Sequence, residues 1–463
     1  MTSSETAPKR TTALRAGAEL ELAFTDLLAN GQGVGRSDGM VVFCFGPLPN
    51  ERARVAIVQV KQRYAVAVLV ELLSASPERR DPFCPVFGIC GGCQLQHLSY
   101  DAQLRWKRNA VRDALQRIGG QDAVDVRDTI GMSEPRAYRN KMALVVDHNE
   151  AAPRLGFYRQ RSHDVVPIDA CPIVAPQLDA ALQRINATRG AGPVRAMLRD
   201  ARHLVVRAAR ATSQSALTIT TDRPSESVSR AAPLLMREIP ALVGVANSFE
   251  RSSTNAIVGR RRRVLAGQAE IEEAIGGVRY RFSAESFFQV NVEMVASIFG
   301  VLEPFLERRG KILDIYCGVG TFALFFAKHG WNVHGIEANA QAIREAVANA
   351  RRNGLEGLTH FEAGRVEELV GLATFERSLR EADAIFLDPP RKGCDDRTLC
   401  AIAQARVPLL WYLSCDPATL ARDSKLLTAK GYRLAAVQPF DMFPQTGHVE
   451  TLVQLEYPNL ATR

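Results

Sequence analysis

The chain has 463 residues, 46% of them hydrophobic and 23% charged, with a formal net charge of +8. That length exceeds one small domain and predicts two or three, each able to bury a core. No apolar run is long enough to span a membrane, and nine scattered cysteines with no N-terminal apolar segment argue against a disulfide scaffold. The expected setting is therefore the reducing cytoplasm, and the basic balance makes nucleic acid the first partner to consider, with a plain solvated basic surface as the alternative.

In chain order, residues 1–12 are polar and read as a disordered tail. Residues 13–73 read as a small β-barrel. "AELELAFTDL" alternates, "GQGVGRSDG" is turn material, "MVVFCF" is a short strand, and "RYAVAVLVELL" is another. A polar, proline-bearing linker at 74–83 opens a central α+β domain over 74–285. It begins with "CPVFGICGGC", which packs Cys84, Cys90 and Cys93 into ten residues, and a fourth cysteine, Cys171, follows in "DACPIV". Zinc and an iron–sulfur cluster both accept four thiolates, and the spacing does not separate them. A helix is predicted over 99–119, with Leu104, Val111, Leu115 and Ile118 on one stripe. It could pack on the C-terminal domain. Arg105, Lys107, Arg108 and Arg112 fall largely off the stripe and read as a solvated or phosphate-facing surface. "KMALVVD", "HLVVRAAR" and "SALTITTD" read as strands, and the basic run Arg260–Arg263 as part of a hairpin.

From about Gly310 the pattern becomes strand, helix, strand, helix. A doubly wound α/β domain is predicted over 286–463. "LDIYCGVGTF" (313–322) ends a strand in a glycine turn that opens a helix, and Glu337 ends the next strand, where a ribose diol would be held. The turn lacks the third glycine of the dinucleotide fingerprint, and its form suits S-adenosylmethionine better than NAD. "FLDPPRKG" (386–393) puts Asp388 at the carboxyl edge of the sheet. "LSCDPATLARD" (413–423) puts Cys415 just past an apolar strand and before a helix start, a setting that favours thiolate. "FPQTGHVETL" (443–452) brings His448 and Glu450 to the last strand, where a carboxylate can act as a base.

Together with "ESFFQVN" (285–291) and "YRNKM" (138–142), these motifs resemble, in order and across nearly the whole chain, the RNA uracil-C5 methyltransferases, which make 5-methyluridine. The closest likeness is to the bacterial branch acting on 23S ribosomal RNA. The resemblance implies an N-terminal TRAM domain, a Rossmann-like class I methyltransferase domain, S-adenosylmethionine as methyl donor, and a [4Fe–4S] cluster on Cys84, Cys90, Cys93 and Cys171. It implies Cys415 as nucleophile and Glu450 as base, with Gln289, Tyr316, Thr321, Glu337 and Asp388 lining the cofactor pocket. Thr321 stands where relatives often carry Asn. Arg391, Phe287, Arg139 and Lys141 are the implied RNA contacts, and a monomer is expected.

The chemistry accounts for the residue types. Uracil C5 is a poor nucleophile until a thiolate adds at C6, and a base must then remove the C5 proton so that the thiolate can leave. The same residues speak against two other classes. An amino-group methyltransferase would want Asn-Pro-Pro-aromatic where this chain has Asp-Pro-Pro-Arg, and would give the cysteine no task. A non-catalytic RNA-binding assembly factor would have no use for Cys415 and Glu450. Among uridine targets, the transfer RNA T-loop is the alternative to ribosomal RNA.

Overall fold

Alternating burial along residues 19–74 closes five strands into a barrel. They are β1 (Glu19–Leu27), β2 (Gln32–Ser37), β3 (Met40–Phe45), β4 (Glu51–Val60) and β5 (Tyr64–Ser74), in the order β1-β2-β3-β5-β4. The inward positions are mostly small or branched, among them Val42, Cys44, Ala53, Val55, Ala65 and Ala67, as a narrow barrel requires. A Cβ on Gly33 would stand 2.4 Å from the Pro47 carbonyl oxygen, so only glycine fits there. At the start of β4 the buried Glu51 carboxylate accepts from the Leu48 amide (2.7 Å), the Ser76 amide (3.1 Å) and the Arg79 guanidinium (2.6 Å). Burial pushes this carboxyl up, but these donors outweigh it and hold it below its ordinary value.

This computed structural model describes residues 14–149, 152–250, 257–259, 261–268, 270–283, 286–307 and 309–458. The tail expected at 1–12, Arg260 and Glu285 lie outside them. The described residues form two compact units, one of residues 14–103 with 445–447, the other of 104–444 with 448–458.

In the first unit the cysteine segment has no regular secondary structure and is held by polar side chains. The Gln96 side-chain oxygen accepts from the Cys84 amide at 3.2 Å, and the Gln94 amide group donates to the Gly91 carbonyl at 2.9 Å. Phe87 packs against the ring of buried His97, with centroids 5.2 Å apart.

The second unit holds two seven-stranded sheets. Helix α1 (Tyr100–Arg117) is followed by β6 (Lys141–Asp147), β7 (Arg154–Tyr158), β8 (Val165–Pro167), helices α2 (Pro176–Thr188) and α3 (Gly192–Asp200), β9 (His203–Ala208), β10 (Ser215–Thr221), α4 (Glu226–Glu238), β11 (Leu242–Phe249) and β12 (Arg261–Gly267). Their strands order as β12-β11-β10-β9-β6-β7-β8, antiparallel except for β10 with β11. The described arginines of the basic run, Arg261–Arg263, begin the edge strand β12, which pairs antiparallel with β11, the strand before it in the chain, as a hairpin does. A hairpin of β13 (Glu270–Ile275) and β14 (Val278–Ser283) and helix α5 (Val292–Leu302) lead to the last domain.

That domain contains β15 (Lys311–Ile315), α6 (Thr321–Lys328), β16 (Asn332–Glu337), α7 (Ala340–Arg352), β17 (Thr359–Ala363), α8 (Val366–Leu369), α9 (Ala373–Glu381), β18 (Ala384–Leu387), α10 (Asp396–Ala405), β19 (Leu409–Ser414), α11 (Pro417–Ala429), β20 (Arg433–Phe440) and β21 (Glu450–Glu456). The order is β17-β16-β15-β18-β19-β21-β20, so the chain reverses direction across the sheet between β15 and β18. The apolar runs "AIFL" and "LLWYLS" are buried almost throughout, as strands covered on both faces must be. β21 alone runs antiparallel, inserted between β19 and β20. The fold is thus mixed α/β, with an N-terminal barrel and a C-terminal doubly wound sheet, as the sequence predicts.

The basic face expected on α1 is corrected at one position. Lys107 is fully buried, paired with the buried Asp441 carboxylate, and donates to the Phe443 carbonyl at 3.1 Å. Arg108 donates to the Val126 carbonyl at 2.7 Å and to Asp128. Periodicity sees the apolar stripe but not a cation whose partner lies more than three hundred residues away. Among the described residues no helix is long and apolar enough to cross a membrane.

Candidate active site

The reversal between β15 and β18 leaves a crevice at the carboxyl edge of the last sheet, where open α/β sheets bind ligands. A cavity of about 630 Å³ opens there. It is lined from β15 by Tyr316 and Gly318, from α6 by Thr321, from β16 by Glu337, from the β18 edge by Asp388, Pro389, Pro390 and Arg391, and by Cys415, Phe443 and Glu450. Gln289 and Phe287 line it from the segment before α5.

Each position has a local cause. Tyr316 leaves β15 with φ +70°, a left-handed conformation that a bulky residue rarely adopts and that turns the chain sharply into Gly318 (φ +56°). A Cβ on Gly318 would meet nothing within 4 Å, which leaves its backbone open to the cavity. Its amide donates to Glu337 at 3.2 Å, and the other Glu337 oxygen accepts from the Asn339 amide at 2.8 Å. The Thr321 carbonyl accepts from the buried Tyr280 hydroxyl at 2.8 Å, tying the start of α6 to β14. Gln289 donates to Asp388 at 3.1 Å. Phe288 is fully buried and stacks on Phe282 at 4.0 Å, whereas its neighbour Phe287 is 65% exposed at the cavity.

Register brings Cys415 and Glu450 together. Ser414 on β19 pairs with Thr451 on β21, and those two strands are antiparallel. One step further along each strand gives Cys415 on one side and Glu450 on the other. A parallel β21 would have put its first residue at the opposite edge of the sheet.

The electrostatics are dominated by buried carboxyl groups. Burial, then Asp388, pushes Glu450 well above its ordinary value, with Arg391 pulling it back. Asp388 is raised by burial and by Glu337, against the lowering by Gln289. Beneath them Asp314 is raised well above its ordinary value by burial and by Asp388 and Glu337. The thiolate expected of Cys415 from its place before a helix start is corrected here, since burial and then Glu450 push the thiol up to about 12, and Arg391 opposes them. Such a cluster is costly by itself and is relieved by a ligand that brings positive charge.

Arg391 approaches His448 at 3.2 Å. Burial and the neighbouring Arg391, Lys107 and Arg139 lower that imidazole to about 4, so it is neutral and accepts from the guanidinium. Arg139 is half-buried and donates to the Lys141 carbonyl at 3.1 Å, and neither Arg139 nor Lys141 lines the cavity. The "YRNKM" stretch holds the site together through its other members. Buried Asn140 donates from its side chain to the Gln289 carbonyl at 2.9 Å and from its amide to Val290, while the Tyr138 hydroxyl donates to the Pro444 carbonyl at 3.1 Å. Sequence reasoning fixed on the two basic residues and passed over Tyr138 and Asn140. An uncharged pair flanking the basic residues, in a motif that matched the family, was the signal available.

The four cysteines expected to hold a cluster are divided between the two units. Cys84, Cys90 and Cys93 belong to the first unit and Cys171 to the second, where its amide donates to Asp179 at 2.7 Å. None of the nine cysteines is in a disulfide. Among the described residues no group of three or more His, Cys, Asp or Glu side chains is arranged to hold a metal ion, so the side chains as placed do not fit a cluster.

Comparison with known proteins decides the family. The profile of the tRNA (Uracil-5-)-methyltransferases matches residues 249–457, and that of the TRAM domain matches residues 14–70. An uncharacterised RNA methyltransferase of Halalkalibacterium halodurans is 37% identical over 450 residues, covering 95% of this chain and 97% of that one. The chain belongs to the RNA uracil-5-methyltransferase family. An uncharacterised RNA methyltransferase of Clostridium acetobutylicum is 36% identical, again over 95% of this chain and 97% of its own length. Among solved structures, the Pyrococcus abyssi tRNA (uracil-54, C5)-methyltransferase in complex with S-adenosyl-L-homocysteine superposes with a TM-score of 0.73 at 26% identity, over 94% of this chain and 100% of that one. The five-stranded barrel of this uracil-5-methyltransferase is its TRAM domain, and the cavity lies wholly within its methyltransferase domain.

Proposed function

We propose that this enzyme transfers a methyl group from S-adenosylmethionine to C5 of a uridine in 23S ribosomal RNA, through a covalent bond between Cys415 and uracil C6. The observation that carries the reading is the juxtaposition of one thiol and one buried carboxyl group, Cys415 and Glu450, across antiparallel strands in a cavity rich in carboxylates. Support for the donor comes from that charge, which suits a sulfonium and an ammonium group, and from the S-adenosyl-L-homocysteine named for the P. abyssi structure.

Tyr316, Thr321, Glu337, Gln289 and Asp388 are proposed to hold the donor, with Glu337 placed for the ribose diol. When bound, S-adenosylmethionine supplies an electrophilic methyl group on a cationic sulfur. Cys415 adds as thiolate to C6, which makes C5 nucleophilic. Glu450 then takes the C5 proton, and elimination returns the thiolate. Arg391 faces the thiol and the base and is proposed to steady the uracil carbonyl, with Phe287 as a stacking surface. The uridine must leave its stack to reach this cavity, which favours an unpaired loop. Arg139 and Lys141, near the site but outside it, are proposed to touch RNA backbone. The remaining proposals are a central domain at 74–285 between barrel and methyltransferase domain, a cytoplasmic monomer, and a [4Fe–4S] cluster on Cys84, Cys90, Cys93 and Cys171. The cluster rests on cysteine spacing and resemblance, against the placement of the side chains. Iron and sulfide content of anaerobically purified protein tests it, and stoichiometric zinc without iron would refute it.

The function is tested by nucleoside mapping of ribosomal and transfer RNA from a strain lacking the protein. Loss of one 5-methyluridine from 23S RNA is expected. Loss from transfer RNA alone would overturn the substrate, and an unchanged map would overturn the activity.

A further inference from the structure

Two residues that close the "SCDPATLARD" stretch have no part in the mechanism above, yet they sit at the centre of a polar network under the cavity. Asp423 on α11 is completely buried. Its Oδ2 accepts from the Tyr412 hydroxyl at 2.6 Å and from the Cys394 amide at 3.0 Å, and its Oδ1 accepts from Arg422 Nε at 2.7 Å. The Arg422 guanidinium also donates to the Lys392 carbonyl at 2.9 Å and to the Cys394 carbonyl at 3.2 Å. Between those carbonyls Gly393 has φ +76°, and a Cβ there would stand 2.5 Å from Asp423 Oδ2 and 2.6 Å from an Arg422 nitrogen. The turn is thus pressed onto the pair with no space for a side chain. The Cys394 thiol lies within electrostatic reach of the hydroxyls of Tyr412 and Tyr316.

What the network holds bears on the reaction. The turn follows Asp-Pro-Pro, and Arg391 and Lys392 on it line the cavity, as does Tyr316. Pro389 and Pro390 stiffen the turn on its entry side. Arg422 and Asp423 fix it on the exit side through one amide and two carbonyls. A buried carboxylate is expensive unless fully paired. Here its partners are a turn backbone, a tyrosine and the arginine that grips the same turn, so the pairing defines where Arg391 stands.

We propose that Arg422 and Asp423 are positioning residues for methyl transfer, locking the 391–394 turn so that Arg391 faces Cys415 and Glu450. This rests on the reading of Cys415 as nucleophile but is testable apart from it. In full-length protein, the rate of Cys415 alkylation by iodoacetamide is followed at fixed pH by peptide mass spectrometry, since the thiolate is the reactive form. R391Q should slow alkylation about tenfold, equivalent to one pKa unit. R422A, at a half-exposed position, and D423N should each slow it comparably. The double variant R391Q/R422A should be no slower than R391Q, because Arg422 acts through Arg391. Wild-type alkylation rates in folded R422A, or losses that multiply in the double variant, would overturn the proposal. Methyl transfer on an RNA transcript is measured beside it. Wild-type protein inert in that assay but showing the expected alkylation pattern would sink the functional reading and leave the positioning role standing.

Discussion

Cys415 and the Cys84–Cys93 segment show one residue type used in two ways. The groups that act on Cys415 come from far apart in the chain, Arg391 and Asp388 from the end of β18 and Glu450 from β21. Those that act on Cys90 are its own loop. Burial raises that thiol, the Gly92 amide lowers it and Cys84 raises it. One environment is assembled by sheet topology and the other by local turns. A site of the first kind should fail when a distant strand is disturbed, and one of the second kind only when the loop itself is.

The sharpest break of that comparison is Cys415→Ala. It should lower methyl transfer by on the order of 10⁴-fold or more with the fold intact, in an assay with labelled S-adenosylmethionine. Cys90→Ala should retain most of the rate while altering metal content or melting temperature. Next, Lys107→Met leaves Asp441 buried and unpaired, and should cost about 3–5 kcal/mol in denaturant unfolding. Glu450→Gln should reduce turnover by about 10²–10⁴-fold. It should also accumulate a denaturant-resistant protein–RNA adduct, visible as a shifted gel band, because the adduct forms but cannot eliminate.

The pH dependence follows from the raised thiol. With Cys415 pushed up to about 12, the reactive thiolate is a minor species at neutral pH. Its alkylation in the ligand-free enzyme should therefore climb about tenfold per pH unit between pH 7 and 9. A plateau in that range would contradict the assigned environment. The smallest expected effect is on the local side. Glu51→Gln removes the charge that gathers Leu48, Ser76 and Arg79, and should cost about 1–3 kcal/mol by melting. Because the folded state holds this carboxyl below its ordinary value, its contribution is present above that value and fades as pH falls through the lowered one. The acid slope of stability should be shallower in the variant.

The same distinction governs what was legible in the sequence. The barrel strands, the long helix and the alternation after Gly310 follow from periodicity and turn residues, which are local. The motif residues at strand ends were legible because the carboxyl edge of such a sheet is where ligands bind. The antiparallel insertion of β21 carries no local mark, and the burial of Lys107 depends on Asp441. Asn140, Tyr138 and Asp423 act on backbone atoms of distant segments, so their own sequence neighbours do not announce them. The cysteine spacing was the most conspicuous signal in the chain, yet among the described residues no group of three or more such side chains is arranged to hold a metal ion.

The insertion of β21 also orders events during synthesis. β19, with Cys415 at its end, and β20 leave the ribosome before β21, and chain emerges at roughly 5–20 residues per second. Until β21 pairs with them, both strands present an unpaired edge, and Cys415 has no Glu450 beside it. Closing the sheet and completing the proposed reaction centre are then a single event. A nascent or C-terminally clipped chain would carry the proposed nucleophile without the proposed base.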